Sequence, residues 1–114
     1  MVHRAVEAAE QLAAEGISVE VIDLRTMAPL DLATILQSVQ KTGRLLIVDK
    51  DHGPCGIGAE IAARVMEEGF DALDAPVRRL NGAHAPIPYS PPLEQAVVPD
   101  TPAIIQAIRA LLAE

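Results

Sequence analysis

His52 and Cys55 stand three residues apart inside VDKDHGPCGIGAE, residues 48–60. An imidazole and a thiol at that separation can serve metal binding or nucleophilic chemistry. As a metal site the pair is only half of one, because a structural zinc takes four ligands. The other imidazoles, His3 and His84, have no partnered spacing. As a nucleophile, Cys55 ahead of a helix N-terminus would have a depressed pKa with His52 assisting, whereas small buried cysteines are commonly inert. The glycines of the same stretch offer backbone N–H groups to an anion at a helix start. Their order, Gly53-x-x-Gly56-x-Gly58, is neither the dinucleotide fingerprint nor the Walker pattern. A fourth reading is a structural corner in which Pro54 stiffens the turn and the glycines permit positive φ and close helix-to-sheet approach. The corner is preferred. It puts His52, Gly53, Pro54 and Cys55 at the carboxyl rim of a sheet, where α/β folds place ligands or partners, and assigns them to a subunit or partner interface. No catalytic, cofactor-binding or metal residue is assigned.

Three weaker constellations remain. Arg78 and Arg79 suit an acidic group or ordinary surface pairing. Asp23, Asp49 and Asp51 lie at strand ends, as a carboxylate cluster or as solvated caps. HAPIPYSPP, residues 84–92, suits a polyproline-binding module or, preferably, a stiff connection over a sheet end anchored by Tyr89. Arg78, His84 and Tyr89 join the interface candidates.

The elements that position these residues follow from periodicity. Val2, Ala5, Val6, Ala9, Leu12 and Ala13 share one helical face, with Gly16 at the C-cap. Alternation over residues 17–24 predicts a strand. Pro29 breaks the loop after it, and Asp31 caps a helix carrying Leu32, Ile35, Leu36 and Val39 that ends by Gly43. The apolar run in RLLIVD, residues 44–49, reads as a buried parallel strand. Ile57, Ile61, Ala62, Val65 and Met66 mark a third helix stopped at Gly69, and residues 77–80 a short strand. Residues 81–100 contain five prolines and hold at most a helical turn near residues 93–96. Thr101 is read as the N-cap and Pro102 as the first residue of a last helix with Ile104, Ile105, Ile108, Leu111 and Leu112 on its face. The order α-β-α-β-α-β-loop-α predicts one α/β domain over residues 1–114, three-layer α/β/α with a small, mainly parallel sheet. Three strands are few for four helices, and opening on a helix is unusual for this class.

The 114 residues carry a net charge of −7. That balance disfavours nucleic acid and anionic membranes, which need basic patches. It favours plain solubility, or a basic partner. No apolar run approaches the ~20 residues of a membrane span, the N-terminus has no signal-peptide pattern, and the single cysteine permits no internal disulfide. A cytoplasmic protein is expected.

Five segments, VEVIDLRTMAPLD, TGRLLIVDKDHGPCGIGAEIAARV, LDAPVRRLNG, PIPYSPPLE and VVPDTPAIIQAIRAL, together resemble the C-terminal domain of the β subunit of the E1 component of 2-oxo acid dehydrogenase complexes. This domain is transketolase C-terminal-like. The resemblance covers almost the whole chain in order. It implies an α2β2 or fused enzyme that uses thiamine diphosphate and Mg²⁺ to decarboxylate a 2-oxo acid and acylate the lipoyl group of E2. It implies as partners an E1 α subunit, a second β subunit and a basic peripheral subunit-binding domain of E2. Thiamine diphosphate and Mg²⁺ belong to the assembled enzyme, and the chain alone is expected to bind no cofactor and be inactive. An assembly or adaptor module of the same fold, or the C-terminal domain of another transketolase-class enzyme, are the alternatives. In related chains an acid usually stands at the position of His84, so a salt bridge there would become pH-dependent. The related domain also has two strands ahead of the helix that begins this chain, one of them central. Without them the strands at residues 19–24 and 45–49 would keep unpaired edges, at ~1–3 kcal/mol per buried group against the ~5–15 kcal/mol stability of a domain. Either those strands close up and pair, or another chain supplies a strand.

Overall fold

The computed structural model describes all residues, 1–114. In chain order it contains α1 (Val2–Ala13), α2 (Leu32–Thr42), β1 (Leu46–His52), α3 (Ile57–Gly69), a 3-10 turn (Phe70–Ala72), β2 (Arg78–Gly82), α4 (Pro91–Val97) and α5 (Thr101–Leu112). No helix is long and apolar enough to cross a membrane.

β1 and β2 form a parallel pair, Leu46 opposite Arg78 and Val48 opposite Leu80, with an irregularity before His52 meets Gly82. α2 and α3 cover one face. Their buried Leu32, Ile35, Val39, Ile61 and Val65 make the main core, and Leu24, Leu45 and Ile47 pack against it. α1 and α5 pack together on the other face, with Ala8, Leu12, Ile104 and Leu111 buried. The architecture is the expected α/β/α.

Local chemistry sets the helix ends. Asp31 caps α2, accepting from the Thr34 N–H at 3.1 Å and the Thr34 hydroxyl at 2.7 Å. Gly43 ends α2 at φ +69°, a conformation that costs glycine little. α5 departs from expectation. Its cap is Asp100, whose Oδ1 accepts from the Ala103 N–H at 2.9 Å, not Thr101. Thr101 is instead buried in the first turn, where its hydroxyl donates to Glu7 on α1 at 2.8 Å. The proline-rich stretch holds more helix than the expected turn, since prolines 91 and 92 fit the first two positions of α4.

The main correction concerns residues 17–24. The burial alternation survives over residues 17–21, and the chain passes Ile17 to Thr26 without helix, turn or bend, yet it forms no strand. From Ser18 to Asp23 no backbone–backbone hydrogen bond is made. A ladder needs a neighbour, and the segment has none. It does not close onto β1; a cavity of about 290 Å³ separates the two.

Candidate functional site

β1 runs on past the expected strand end to His52, carrying the imidazole to the carboxyl rim of the sheet. There the ring stacks on His84, centroids 5.2 Å apart and planes 19° from parallel. The two histidines are 32 positions apart in sequence, and no spacing rule links them. Asp51 orients the ring: its Oδ1 lies 2.9 Å from His52 Nδ1 and accepts from the His52 backbone N–H at 2.8 Å. That backbone hydrogen bond is the main cause holding the Asp51 carboxyl below its usual range; slight desolvation opposes it, and the charge and ring hydrogen bond of His52 and the charge of Lys50 assist.

The corner between β1 and α3 is a packing device, as preferred from sequence. Gly56 caps α3 with extended backbone, and a Cβ there would stand 2.9 Å from the His52 carbonyl oxygen. Gly58 is buried, and a Cβ there would press on Ile47 of β1 at 3.2 Å. Gly53 accepts through its carbonyl oxygen from Arg79 at 3.3 Å. The positive φ expected of the glycines falls on Cys55 instead, at +59°. Gly56 and Gly58 are taken up by close approach, while Cys55 at the turn is exposed. Pro54 is exposed beside it.

The other candidates separate. Arg78 does not reach the rim; it pairs with Glu114 at the C-terminus, and that partner raises its pKa. Asp23 pairs with Arg25 at 2.7 Å and Asp51 with His52, so the aspartates make no cluster. No group of three or more His, Cys, Asp or Glu gathers to hold a metal ion. Tyr89 anchors nothing within the chain, being fully exposed at 102 %. The stretch is pinned instead at its base, where the Ala83 N–H donates to Val97 O at 2.8 Å. Ile87 and Leu93 are exposed alongside Tyr89.

A second feature lies under the rim. The cavity between residues 17–24 and β1 is bordered by residues 17–22 on one side and 45–48 on the other. A side-chain face would contribute alternate residues; consecutive residues mean that backbone edges border it. Ala5 and Ile108 close it from one helix layer, Ile35 and Ile61 from the other.

Comparison with known proteins gives the chain its family. Residues 1–104 match the transketolase, C-terminal domain. The pyruvate dehydrogenase E1 component subunit beta of Rhizobium meliloti is 45 % identical, over 94 % of this chain and 23 % of that protein. The acetoin:2,6-dichlorophenolindophenol oxidoreductase subunit beta of Cupriavidus necator is 47 % identical, over 96 % of this chain and 32 % of that protein. The mitochondrial pyruvate dehydrogenase E1 component subunit beta-1 of Arabidopsis thaliana is 51 % identical, over 94 % and 30 %. The chain thus spans about a quarter to a third of the length of the relatives it matches. By fold and by sequence, the chain belongs to the transketolase C-terminal domain family.

Proposed function

We propose that the chain serves as the C-terminal part of the β subunit of a thiamine-diphosphate-dependent 2-oxo acid dehydrogenase E1, where it holds subunits together and helps dock E2. The carrying observation is the outward apolar segment at the carboxyl rim. Ile87, Tyr89 and Leu93 are 43 %, 102 % and 58 % exposed, on the stretch that follows His84 in sequence. Aromatic and aliphatic side chains so placed suit a protein contact better than solvent. The E1 α subunit and a second β subunit are the partners of this rim, with His52, Gly53, Pro54, Cys55, His84 and Tyr89 at the contact. The net charge of −7 suits a basic subunit-binding domain of E2. Cytoplasmic residence belongs to the same proposal.

Thiamine diphosphate and Mg²⁺ are assigned to the assembled enzyme. Two features support leaving both groups to other parts of the enzyme: the helix start at Gly56 is packed against β1, and no three ligating side chains converge. No chemical step is therefore routed through this domain. A second substrate reading, acetoin, rests on the 47 % identity to an acetoin oxidoreductase subunit, which is level with the identities to pyruvate dehydrogenase subunits.

The test is capture of purified E1 α subunit and E2 subunit-binding domain by the tagged chain, followed by activity of the reconstituted assembly on pyruvate, branched-chain 2-oxo acids and acetoin. Capture of both partners supports the reading. Capture of neither, or decarboxylation by the isolated chain given thiamine diphosphate and Mg²⁺, overturns it.

A further inference from the structure

We infer that the stacked rings of His52 and His84 form a pH-sensitive latch. The stack holds the proline-rich stretch, residues 84–90, against the end of β1 at neutral and higher pH, and releases it when both imidazoles carry a proton. The latch belongs to this chain alone, whatever reaction the assembled enzyme performs.

The stretch has few other ties. From Ala83 to Ala96 every residue except the half-buried Pro88 is exposed. The Ala83 N–H to Val97 O bond closes its base, and α4 behind it buries no residue. Residues 84–89 make no hydrogen bond to the sheet or to either helix layer; Ala85 bonds only back to Ala83. What fixes the stretch to the sheet is one ring on another, centroids 5.2 Å apart and planes 19° from parallel. The backbone brings the rings together, since His52 pairs with Gly82, two residues before His84.

The face-to-face arrangement also says what the pair does not do. Two imidazoles that share one metal ion must aim in-plane lone pairs at a single point, whereas near-parallel rings aim them along separate planes. No third ligand gathers there either. A stack is a contact between π faces. It tolerates one protonated ring, because a cation is attracted to the face of a neutral one, but it does not tolerate two.

The surrounding charges answer one proton and leave the other unanswered. Asp51 on β1 lies within ion-pair distance of His52, its Oδ1 2.9 Å from Nδ1. The Asp51 carboxyl is held below its usual range, so it stays ionised wherever an imidazole titrates and can answer a proton on His52. Asp49 accepts from the Asp51 N–H at 3.1 Å, and Lys50 between them adds positive charge beside Asp51. Arg79 on β2 is turned to the Gly53 carbonyl oxygen at 3.3 Å. The corner contributes the exposed Cys55 thiol, α4 contributes Glu94 in its first turn, and Asp100 is occupied as the α5 cap. His84 has no ion pair with any of them. A proton there meets the charge on His52 across the stack. Two unit charges 5.2 Å apart lower the closed-to-open ratio by about fourfold in water, and further where water is partly excluded. Imidazoles take up protons between about pH 8 and pH 5. Protons favour the released form, so the closed fraction falls as pH falls.

The chain carries its own probe. Tyr89 is the one tyrosine, and there is no tryptophan, so tyrosine fluorescence anisotropy reads the motion of the stretch without a label. Between about pH 7.5 and pH 5, wild-type anisotropy should fall reversibly while far-UV circular dichroism stays constant. The fall should correspond to a closed-to-open ratio about fourfold lower. His84→Phe keeps a ring that cannot titrate and should hold the neutral-pH anisotropy throughout. His84→Gln removes the ring and should be low and flat at every pH. Three outcomes overturn the proposal: a flat wild-type profile, a His84→Phe profile that falls as wild type does, or a His84→Gln anisotropy equal to wild type at neutral pH. If the wild-type chain loses helix before the acid end of the titration, the neutral-pH comparison decides: His84→Gln must read lower than both wild type and His84→Phe.

Discussion

Gly82 is the position where the fold of the rim can be tested most directly. It ends β2 opposite His52, and its φ is ordinary, so backbone strain is not the issue. A Cβ there would collide with the Lys50 carbonyl oxygen of β1 and would stand 3.1 Å from the Val97 carbonyl oxygen. Both obstacles are backbone, and neither can swing away as a side chain does. Gly82→Ala must therefore push β2 from β1 or break the adjacent Ala83 N–H to Val97 O bond of 2.8 Å. Overpacking costs about 1–3 kcal/mol and the lost hydrogen bond about 0.5–1.5 kcal/mol, giving an expected loss of about 1.5–4.5 kcal/mol. With a urea slope of ~2 kcal/mol/M, the middle of the range for small proteins, the unfolding midpoint should fall by roughly 0.8–2.2 M. Gly53→Ala is the matched control, because its Cβ would meet only the Asn81 side chain at 3.4 Å or more. Its effect should stay within ~0.5 kcal/mol. Equal midpoints for the two variants would refute the reasoning, since both substitutions add the same methyl at the same rim.

Three further outcomes are expected. Asp100→Ala should cost about 0.5–2 kcal/mol through loss of the α5 cap, read as a lower thermal midpoint; Thr101→Ser, which keeps the hydroxyl toward Glu7, should change far less, and the reverse order would restore Thr101 as the cap. Asp31 and Asp51 both have lowered carboxyl pKa values, Asp31 through the Thr34 hydroxyl and then the Thr34 N–H, Asp51 through the His52 N–H. A carboxyl that is more acidic when folded stabilises above its unfolded pKa of ~3.9 and loses that contribution as pH falls through the folded value. Asp31→Asn keeps a capping oxygen but cannot titrate, so its urea midpoint should drop less than wild type between pH 5 and pH 2; a wild-type slope would contradict the assignment. Val65→Ala, at a fully buried site of the α2–α3 core, should cost about 2–4 kcal/mol, measured by the same urea titration.

Much of this arrangement was legible in the sequence because the signals were local. The helical faces of α1, α2, α3 and α5 required only 3.6-residue spacing. Asp31 as a cap required only its place before Leu32. The corner reading of residues 53–58 required only small residues between a strand and a helix. Where the reading failed, the deciding partner lay elsewhere in the chain. Thr101 has the right type for a cap, but Glu7 on α1 takes its hydroxyl, and Asp100 one residue earlier was equally suitable. His84 gave no sign of stacking on His52, because that contact depends on where the Ala83–Val97 bond sets the proline-rich stretch down. Tyr89 has the size of an anchor, yet its side chain is fully exposed.

Residues 17–24 separate two things that strand patterning usually delivers together. Alternation records which faces of an extended chain meet helices, and here that record is kept over residues 17–21: Ile17, Val19 and Val21 are half-buried while Ser18 and Glu20 are exposed, before the half-buried Ile22 shifts the phase. Alternation carries no information about what lies at the edges. Pairing is a property of the neighbouring backbone, and a neighbour can be absent while the faces remain satisfied. The helix layers explain why the segment keeps its place without a ladder, since Leu24 packs on the α2–α3 core and the Ile17 N–H remains tied to Leu12 O at 3.0 Å. The same layers hold the cavity beside β1 open. For residues 17–24 to reach β1, α1 and α2 would have to move with them, and each is fixed by contacts of its own: α1 through Glu7 and Glu15 to α5, α2 through Val39 to α3. Residues 17–24 therefore keep their place through side-chain packing and the Ile17 bond alone, with the cavity beside β1 left between the two helix layers.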